Sequence, residues 1–401
     1  MTNKRPRILV FSSLFPNAAQ PTAGVFVRER MFNVAKHLDL CVVSPKAWFP
    51  LQGLLRLIKP HFRPATARQE VQAGIDVFQP LYLSFPGVLK RFDGFLMAVG
   101  AWRTVRKLKK QQRVDLIDAH FAYPDGYAAT LLGKWLDLPV TITLRGTEHR
   151  HAKDDALRQR LQLALQRAVH VFGVSDDLCG VARQLGLPSA KLQVVGNGVD
   201  LSKFSALDRT QARVALGLAP TDVVLVSVGG LVERKGFHRV IEVLPDLVAR
   251  FASLKLLIVG GATAEGNNRA QLEQQVNNLG LQAHVQFLGP KPHTELAAIL
   301  SAGDVFVLAT ANEGWANVFL EAMACGLPVV TTEVGGNKEV VTSEDHGLLV
   351  PFGNREALHT ALLTAIQKPW DRPQIMAYAK NNSWDQRVNT LVHQFKELTH
   401  D

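Results

Sequence analysis

The stretch Asn312-Glu313-Gly314-Trp315-Ala316-Asn317-Val318-Phe319-Leu320-Glu321-Ala322-Met323-Ala324-Cys325-Gly326-Leu327-Pro328-Val329-Val330 reads as a polar loop, an apolar helix, a turn and a strand. The run before it, Asp304-Val305-Phe306-Val307-Leu308-Ala309, is short, apolar and partly β-branched, as a strand buried in a parallel sheet should be. Gly326 closes the helical segment, and Pro328 leads into the next apolar run. Strand, helix and strand in that order make a βαβ unit, which points to an α/β fold.

The same alternation extends along the chain. Strand-like runs fall near Arg7 to Phe11, Leu40 to Ser44, Ile75 to Gln79, Leu116 to Ala119, Val140 to Leu144 and Val169 to Val174. The pattern restarts at Asp222 to Val228, Lys255 to Val259, His284 to Leu288, Asp304 to Leu308 and Val329 to Thr332. A chain of 401 residues, 47% of them hydrophobic, has material for two cores. Two doubly wound parallel-sheet domains are therefore expected. The boundary is placed near Val195 to Phe204, where Asn197-Gly198 supplies turn chemistry, giving domains over 1–198 and 199–382. Ser383 is positioned to cap a last helix over 383–401. No internal repeat or low-complexity tract interrupts the pattern.

Ligands of such sheets bind beyond the carboxyl ends of the strands, so the residues just after each strand are the ones to inspect. If Asn317 caps the helix, Glu321 is its fourth residue, one place beyond the reciprocal capping-box position, and capping does not account for it. Backbone N–H groups from Gly314 through Trp315, Ala316 and Asn317 to Val318 lie at a helix start, where the partial positive charge suits a phosphate. An ordinary reading also exists, in which Glu313 is a solvated loop residue and Glu321 complements the helix dipole. Gly24, in the loop after the first strand, either lets backbone approach a phosphate or belongs to a solvent loop.

Glu313 and Glu321, eight positions apart and followed by EAMACGLPVV, resemble the paired-glutamate signature of the retaining glycosyltransferases of family 4. Phe15-Pro16, Gly24-Val25-Phe26-Val27, Asn197-Gly198-Val199-Asp200, Val228-Gly229-Gly230 to Lys235-Gly236, Gly335-Gly336 and Gly347-Leu348-Leu349-Val350-Pro351 fall in that family's order, so the resemblance covers essentially the whole chain. It implies the GT-B fold: two Rossmann-like doubly wound parallel-sheet domains facing a central cleft. In that arrangement the N-terminal domain binds acceptor, the C-terminal domain binds a nucleotide-sugar donor, and the last helix packs back on the first domain. The implied reaction moves a sugar from a UDP- or GDP-sugar to a hydroxyl, with retention and no metal. The implied acceptors are lipid-linked or polysaccharide molecules of bacterial cell-surface glycan synthesis.

The resemblance also distributes roles. Glu313 would touch the donor sugar and Glu321 the ribose hydroxyls; Lys235 would neutralise the leaving diphosphate, and His120 would contact the donor sugar or phosphate. Arg145 occupies the place of a common His-Gly histidine, and is expected near the acceptor or diphosphate. The family usually carries an arginine where this chain has Gly230, so charge stabilisation is expected to rest on Lys235 with help from Arg234 or Arg145. The loop at Gly289 and the backbone beside Trp315 are expected to select base and sugar. The two glutamates would line one donor rather than flank a scissile bond, so glycosidase logic does not carry over. A nucleotide-sugar epimerase of the same architecture is the competing enzyme.

Cys41, Cys179 and Cys325 lie in or beside apolar stretches without CxxC spacing, so neither a disulfide framework nor a zinc site is expected, and a reducing cytoplasm is. Lys4, Arg5 and Arg7 precede an apolar run too short for a signal peptide, and no run of about 18 apolar residues exists to span a membrane. The net charge of +10 suits an anionic surface, an anionic substrate or nucleic acid. Nucleic acid would leave the Glu313 to Glu321 loop without purpose. From Ala101 to Arg113, helical spacing puts Arg103, Arg106, Lys110 and Arg113 on one arc and Ala101, Val105 and Leu108 on the other. That face is either plainly solvated or a peripheral contact with an anionic membrane. Trp48, Phe49, Leu51, Leu54, Leu55, Leu57 and Ile58, with Arg56, Lys59 and Arg63, form a second candidate for membrane contact or acceptor gating.

Overall fold

The computed structural model describes residues 5–21, 23–50, 52–58, 62–263 and 265–399, so Lys4, Leu51 and Lys59 lie outside the described residues, as does the side chain of Ile58. The chain divides into two compact units, Met1–Asn197 with Arg387–Asp401, and Gly198–Gln386.

The first unit is built on an eight-stranded sheet. Its strands are β1 (Arg7–Phe11), β2 (Asp39–Val43), β4 (Gln69–Gln72), β5 (Ile75–Phe78), β7 (Leu116–His120), β8 (Val140–Leu144), β9 (His170–Gly173) and β10 (Leu192–Val194); β3 (Lys46–Trp48) and β6 (Leu81–Leu83) pair separately. The order is β10-β9-β8-β7-β1-β2-β5-β4, parallel except for the antiparallel edge pair β4 and β5. β1, β7 and β8 are buried almost throughout, which is why their sequences are mostly apolar; Asp118 and His120 of β7 are buried exceptions. The chain leaves β1 toward β2 on one side and returns to β7 on the other, so the loops after β1 and β7 flank the switch point.

The second unit holds β11 (Val223–Val228), β12 (Leu254–Val259), β13 (Val285–Gly289), β14 (Val305–Leu308), β15 (Val329–Thr332) and β16 (Gly347–Val350), all parallel, in the order β13-β12-β11-β14-β15-β16. Its switch point lies between β11 and β14. The helix Asn317–Ala324 buries Phe319, Leu320, Ala322, Met323 and Ala324, and Phe319 meets Phe306 of β14 edge to face at 5.8 Å. Gly326, at φ 81°, ends this helix: its N–H donates to the Met323 carbonyl at 2.9 Å and that of Leu327 to the Ala322 carbonyl at 3.0 Å, the two bonds of a Schellman closure.

Two local expectations are corrected. The residue that caps the helix is Ala316, not Asn317, and no side chain caps it; Asn317 is the first helical residue and Glu321 the fifth. The basic helix runs Asp93–Lys110 and turns off at Gln112, φ 53°, so Arg113 leaves the cationic arc. Arg113 instead pairs with Asp76 at 2.6 Å and lies over the Phe78 ring. Ala101, Val105 and Leu108 do form the buried side.

The last helix, Trp384–Glu397, starts beside the Val199↔Ser383 bridge of the second unit and carries Phe395, wholly buried, against Phe172 of the first at 5.8 Å.

Candidate active site

In the second unit the loops after β11, β12, β14 and β15 are locked together by backbone. A Cβ on Gly236 (φ 75°) would lie 1.8 Å from the Ala309 carbonyl oxygen, and one on Gly335 (φ 50°) 2.0 Å from that of Glu313. Only glycine permits those approaches and those angles. The Ala311 N–H donates to the Arg234 carbonyl at 2.7 Å and the Gly336 N–H to the Glu313 carbonyl at 3.1 Å. Glu313 is thereby held from two sides at the switch point.

The Lys235 ammonium donates to Glu313 Oε1, Thr310 Oγ1 donates to the same oxygen at 3.2 Å, and Arg234 Nη1 stands 3.6 Å from it. Both partners of the lysine pair are largely covered, Lys235 16% and Glu313 10% exposed, so their attraction is screened less than a surface pair's. Arg234 also forks onto Glu265, Nε to Oε2 at 2.6 Å and Nη2 to Oε1 at 2.8 Å. Gly230 is occupied from outside: a Cβ there would meet the Thr263 methyl at 2.3 Å. Gly314, Trp315, Asn317, Val318 and Glu321 are half-buried around the helix start, and Ala316 is buried. Gly289 ends β13 at φ 71°, and its carbonyl accepts from the Gly260 N–H at 3.0 Å. This loop cluster thus gathers Lys235, Arg234, Glu313 and the helix N-terminus at one switch point.

In the first unit Gly24 heads the helix Val25–Val34 at φ 71°, with a Cβ position 2.3 Å from the Leu14 carbonyl oxygen. The immediate reason for this glycine is that carbonyl. His120 closes β7 and is wholly buried. Its Nδ1 accepts from Arg145, Nη2 at 2.9 Å and Nε at 3.2 Å, which assigns the proton to Nε2, 3.3 Å from Asp118 Oδ2. Burial, aided by the Arg145 charge, lowers the His120 pKa to about 4, so the ring is neutral at ordinary pH. Arg145 donates from Nη1 to Asn197 Oδ1 at 2.9 Å and lies over the Phe26 ring at 5.3 Å. Its own pKa is lowered, first by burial. Of the pair, Arg145 is half-buried while His120 has no exposed surface.

Sequence reasoning missed the frame around them. Glu148, buried, accepts from the N–H groups of Ala122, Arg145 and Gly146 at 3.2, 3.2 and 2.7 Å. Arg30, buried, donates to the Val195 carbonyl at 2.8 Å. Asp125, buried, accepts from the Ser13 N–H and from Ser13 Oγ at 3.0 Å. Each partner is more than twenty residues away or belongs to a turn, so no local spacing announces it; only a charged residue inside an apolar stretch, such as Arg30, is a signal. Among the described residues no group of three or more His, Cys, Asp and Glu is placed to hold an ion, and no helix is long and apolar enough to cross a membrane.

Residues 53–203 match the model of Glycosyltransferase Family 4 and residues 208–382 that of Glycosyl transferases group 1. The chain is 30% identical over 86% of its length, and 85% of the relative's, to TuaC of Bacillus subtilis (strain 168), provisionally named a teichuronic acid biosynthesis glycosyltransferase. It is likewise 30% identical, over 71% of its length and 72% of the relative's, to the D-inositol 3-phosphate glycosyltransferase of Corynebacterium urealyticum (strain ATCC 43042 / DSM 7109). The crystal structure of HepE from Anabaena in complex with UDP superposes with a TM-score of 0.74 over 98% of this chain and 100% of that one, at 19% identity, a likeness of fold. Two Rossmann-like parallel-sheet units, the matches to both halves and the relatives at 30% identity lead to one conclusion: the chain belongs to the glycosyltransferases of family 4, with a group 1 C-terminal domain and the GT-B fold.

Proposed function

We propose that this glycosyltransferase moves a sugar from a UDP- or GDP-sugar to a hydroxyl of a lipid-linked or polysaccharide acceptor in cell-surface glycan synthesis, with retention at the anomeric carbon. The observation that carries the donor half is the meeting of Lys235 and Arg234 on Glu313 at the switch point of the second unit, beside a helix N-terminus. Two cations and the N–H groups at a helix start suit the two phosphates of a nucleoside diphosphate without a metal. The UDP bound by HepE supports a nucleotide as ligand. The relative assigned to teichuronic acid synthesis supports a cell-surface acceptor.

In this reading the bond from the anomeric carbon to the phosphate oxygen breaks as the acceptor oxygen bonds to that carbon. The acceptor's proton passes to the departing phosphate, whose charge Lys235 and Arg234 stabilise. Glu313 faces the sugar, Glu321 the ribose, and the backbone of Gly230, Gly289 and Gly314 to Val318 lines the donor. Arg145 is a further candidate cation, carried by the first unit. His120 acts as a positioning residue, holding Arg145 through Nδ1.

The membrane side rests on the helix Asp93–Lys110. Its outer face exposes Phe95 (48%) and Val99 (51%), with Trp135 (41%) edge-on to Phe95, and continues into exposed Arg103, Arg106, Lys107 and Lys110. Apolar and aromatic groups next to cations fit the interface of an anionic leaflet, each cation adding about 1 kcal/mol near the surface. The helix Gln52–Ile58 adds exposed Leu54 and Leu57. The chain would then work at the cytoplasmic face of its membrane.

A thermal-shift panel of nucleotide sugars tests the donor: a ligand at 100 times its dissociation constant stabilises by about 2.7 kcal/mol. Glu321→Ala should weaken that binding, and Lys235→Ala should cut turnover by roughly 10²–10³. No shift with any nucleotide sugar, or wild-type transfer in both variants, would refute the assignment. Product anomers read by NMR test retention, and flotation with anionic against neutral vesicles tests the membrane face.

A further inference from the structure

We propose that Glu265, on the loop after β12, is a positioning residue that aims Arg234 at the donor diphosphate. The inference rests on the donor reading above. Arg234 presents its Nε and Nη2 edge to Glu265, at 2.6 and 2.8 Å. This side-on fork fixes the guanidinium plane and leaves Nη1 directed toward the Asn312 carbonyl, 3.5 Å, and Glu313 Oε1, 3.6 Å. The carboxylate Oε1 that Arg234 and Lys235 both approach marks where an anion is favoured.

The loop that carries Glu265 is itself built. Thr263 and Gly266 exchange backbone hydrogen bonds at 2.9 and 3.1 Å, and the Glu265 N–H donates to Thr263 Oγ1 at 3.1 Å. The Thr263 methyl rests over Gly230, 2.3 Å from where a Cβ would stand. Gly230 has no positive φ, so its backbone does not require glycine; the threonine excludes a side chain there. The loop after β11 therefore carries its guanidinium at Arg234, where Glu265 can reach it.

Stability does not explain the pair. Arg234 is 38% and Glu265 55% exposed, and ion pairs of that kind contribute about 0.2–1 kcal/mol. Direction is what the fork supplies. Glu265 could act in the opposite sense, as a carboxylate competing with the diphosphate for Arg234. The two senses differ in outcome: a positioning residue strengthens binding of the second phosphate, and a competitor weakens it. The side-on engagement, which leaves Nη1 unengaged by Glu265, is the geometry of positioning.

Calorimetric titration of the full chain with UDP against UMP, GDP against GMP and ADP against AMP isolates the second phosphate as a ratio of affinities. For the nucleotide that binds, Arg234→Ala should lower the diphosphate-to-monophosphate ratio by about tenfold, the effect of about 1.4 kcal/mol. Glu265→Ala should lower it three- to tenfold with monophosphate affinity unchanged, and Glu265→Gln, which keeps one acceptor oxygen, should fall between. A merely structural role for Glu265 would weaken both nucleotides alike and leave the ratio intact. An unchanged ratio in Glu265→Ala, or a raised one, overturns the proposal. Failure of the wild type to bind any diphosphate overturns the donor reading itself.

Discussion

Gly335→Ala should disable the site while barely touching the fold. At φ 50° the new methyl sits in the left-handed region, at a cost of about 1–2 kcal/mol. Its Cβ would also stand 2.0 Å from the Glu313 carbonyl oxygen, where ordinary contact begins near 3.4 Å. Something must therefore open by about 1.4 Å, and the obstacle is backbone, not a side chain that can swing away. The Gly336 N–H bond to the same carbonyl ties that movement to Glu313. Displacing a positioned group by about 1 Å can cost on the order of 10²-fold in rate. Gly353→Ala is the control: its φ is 78°, but nothing lies within 4 Å of its Cβ position, so it carries the strain without the collision. Urea unfolding should show losses of about 1–2 kcal/mol in the control, with nucleotide-diphosphate affinity and transfer unchanged. Gly335→Ala should keep its circular dichroism and lose at least tenfold in transfer. Equal activity in the two variants would refute the claim that the loop after β15 holds Glu313 in place.

Two further outcomes follow from buried titratable groups. Burial pushes the Asp125 carboxyl up to about 7 against the hydrogen bonds from Ser13 that lower it. A folded value above the unfolded 3.8 means stability present below pH 3.8 and lost as pH rises through about 7. Asp125→Asn should therefore gain on the wild type by about 2–3 kcal/mol between pH 5 and 8 in urea titrations, and a constant difference would contradict it. His120 has the opposite sign: lowered from 6.5 to about 4, it contributes stability that is complete above pH 6.5 and lost as pH falls toward 4. His120→Asn should flatten that acid limb, worth about 3 kcal/mol, and lower turnover by releasing Arg145; an unchanged limb would show that the ring is not neutral in the fold.

Legibility followed burial. Val140–Leu144 and Val329–Thr332 stand where their runs of apolar and β-branched residues placed them, because a strand covered on both faces favours such residues throughout and the buried hydroxyls of Thr141, Thr331 and Thr332 find acceptors. β3, β4, β6, β10 and β16 escaped detection because three or four residues, several polar, carry no period. In β4 Val71 is 64% exposed on a sheet edge, so its sequence Gln69-Glu70-Val71-Gln72 had no core to answer to. Arg113 looked helical because a wheel drawn on sequence has no end; the chain's turn at Gln112 supplied one. Asn317 looked like a cap because asparagine usually is one, but here the loop is held by its backbone bond to Gly336.

By itself the sequence determined the α/β class, the repeated strand and helix order and the helix stop at Gly326, since hydrophobic period, glycine and local spacing are properties of neighbouring residues; its resemblance to family 4 marked the candidates Glu313, Glu321, Lys235, Arg145 and His120. Tertiary structure alone decided which of those groups meet. Lys235 and Glu313 lie 78 residues apart, and Arg145 and Asn197 52 apart. Strand order at the two switch points, and glycines that admit a neighbouring carbonyl, bring such pairs within hydrogen-bond reach, and no pattern along the chain encodes that distance.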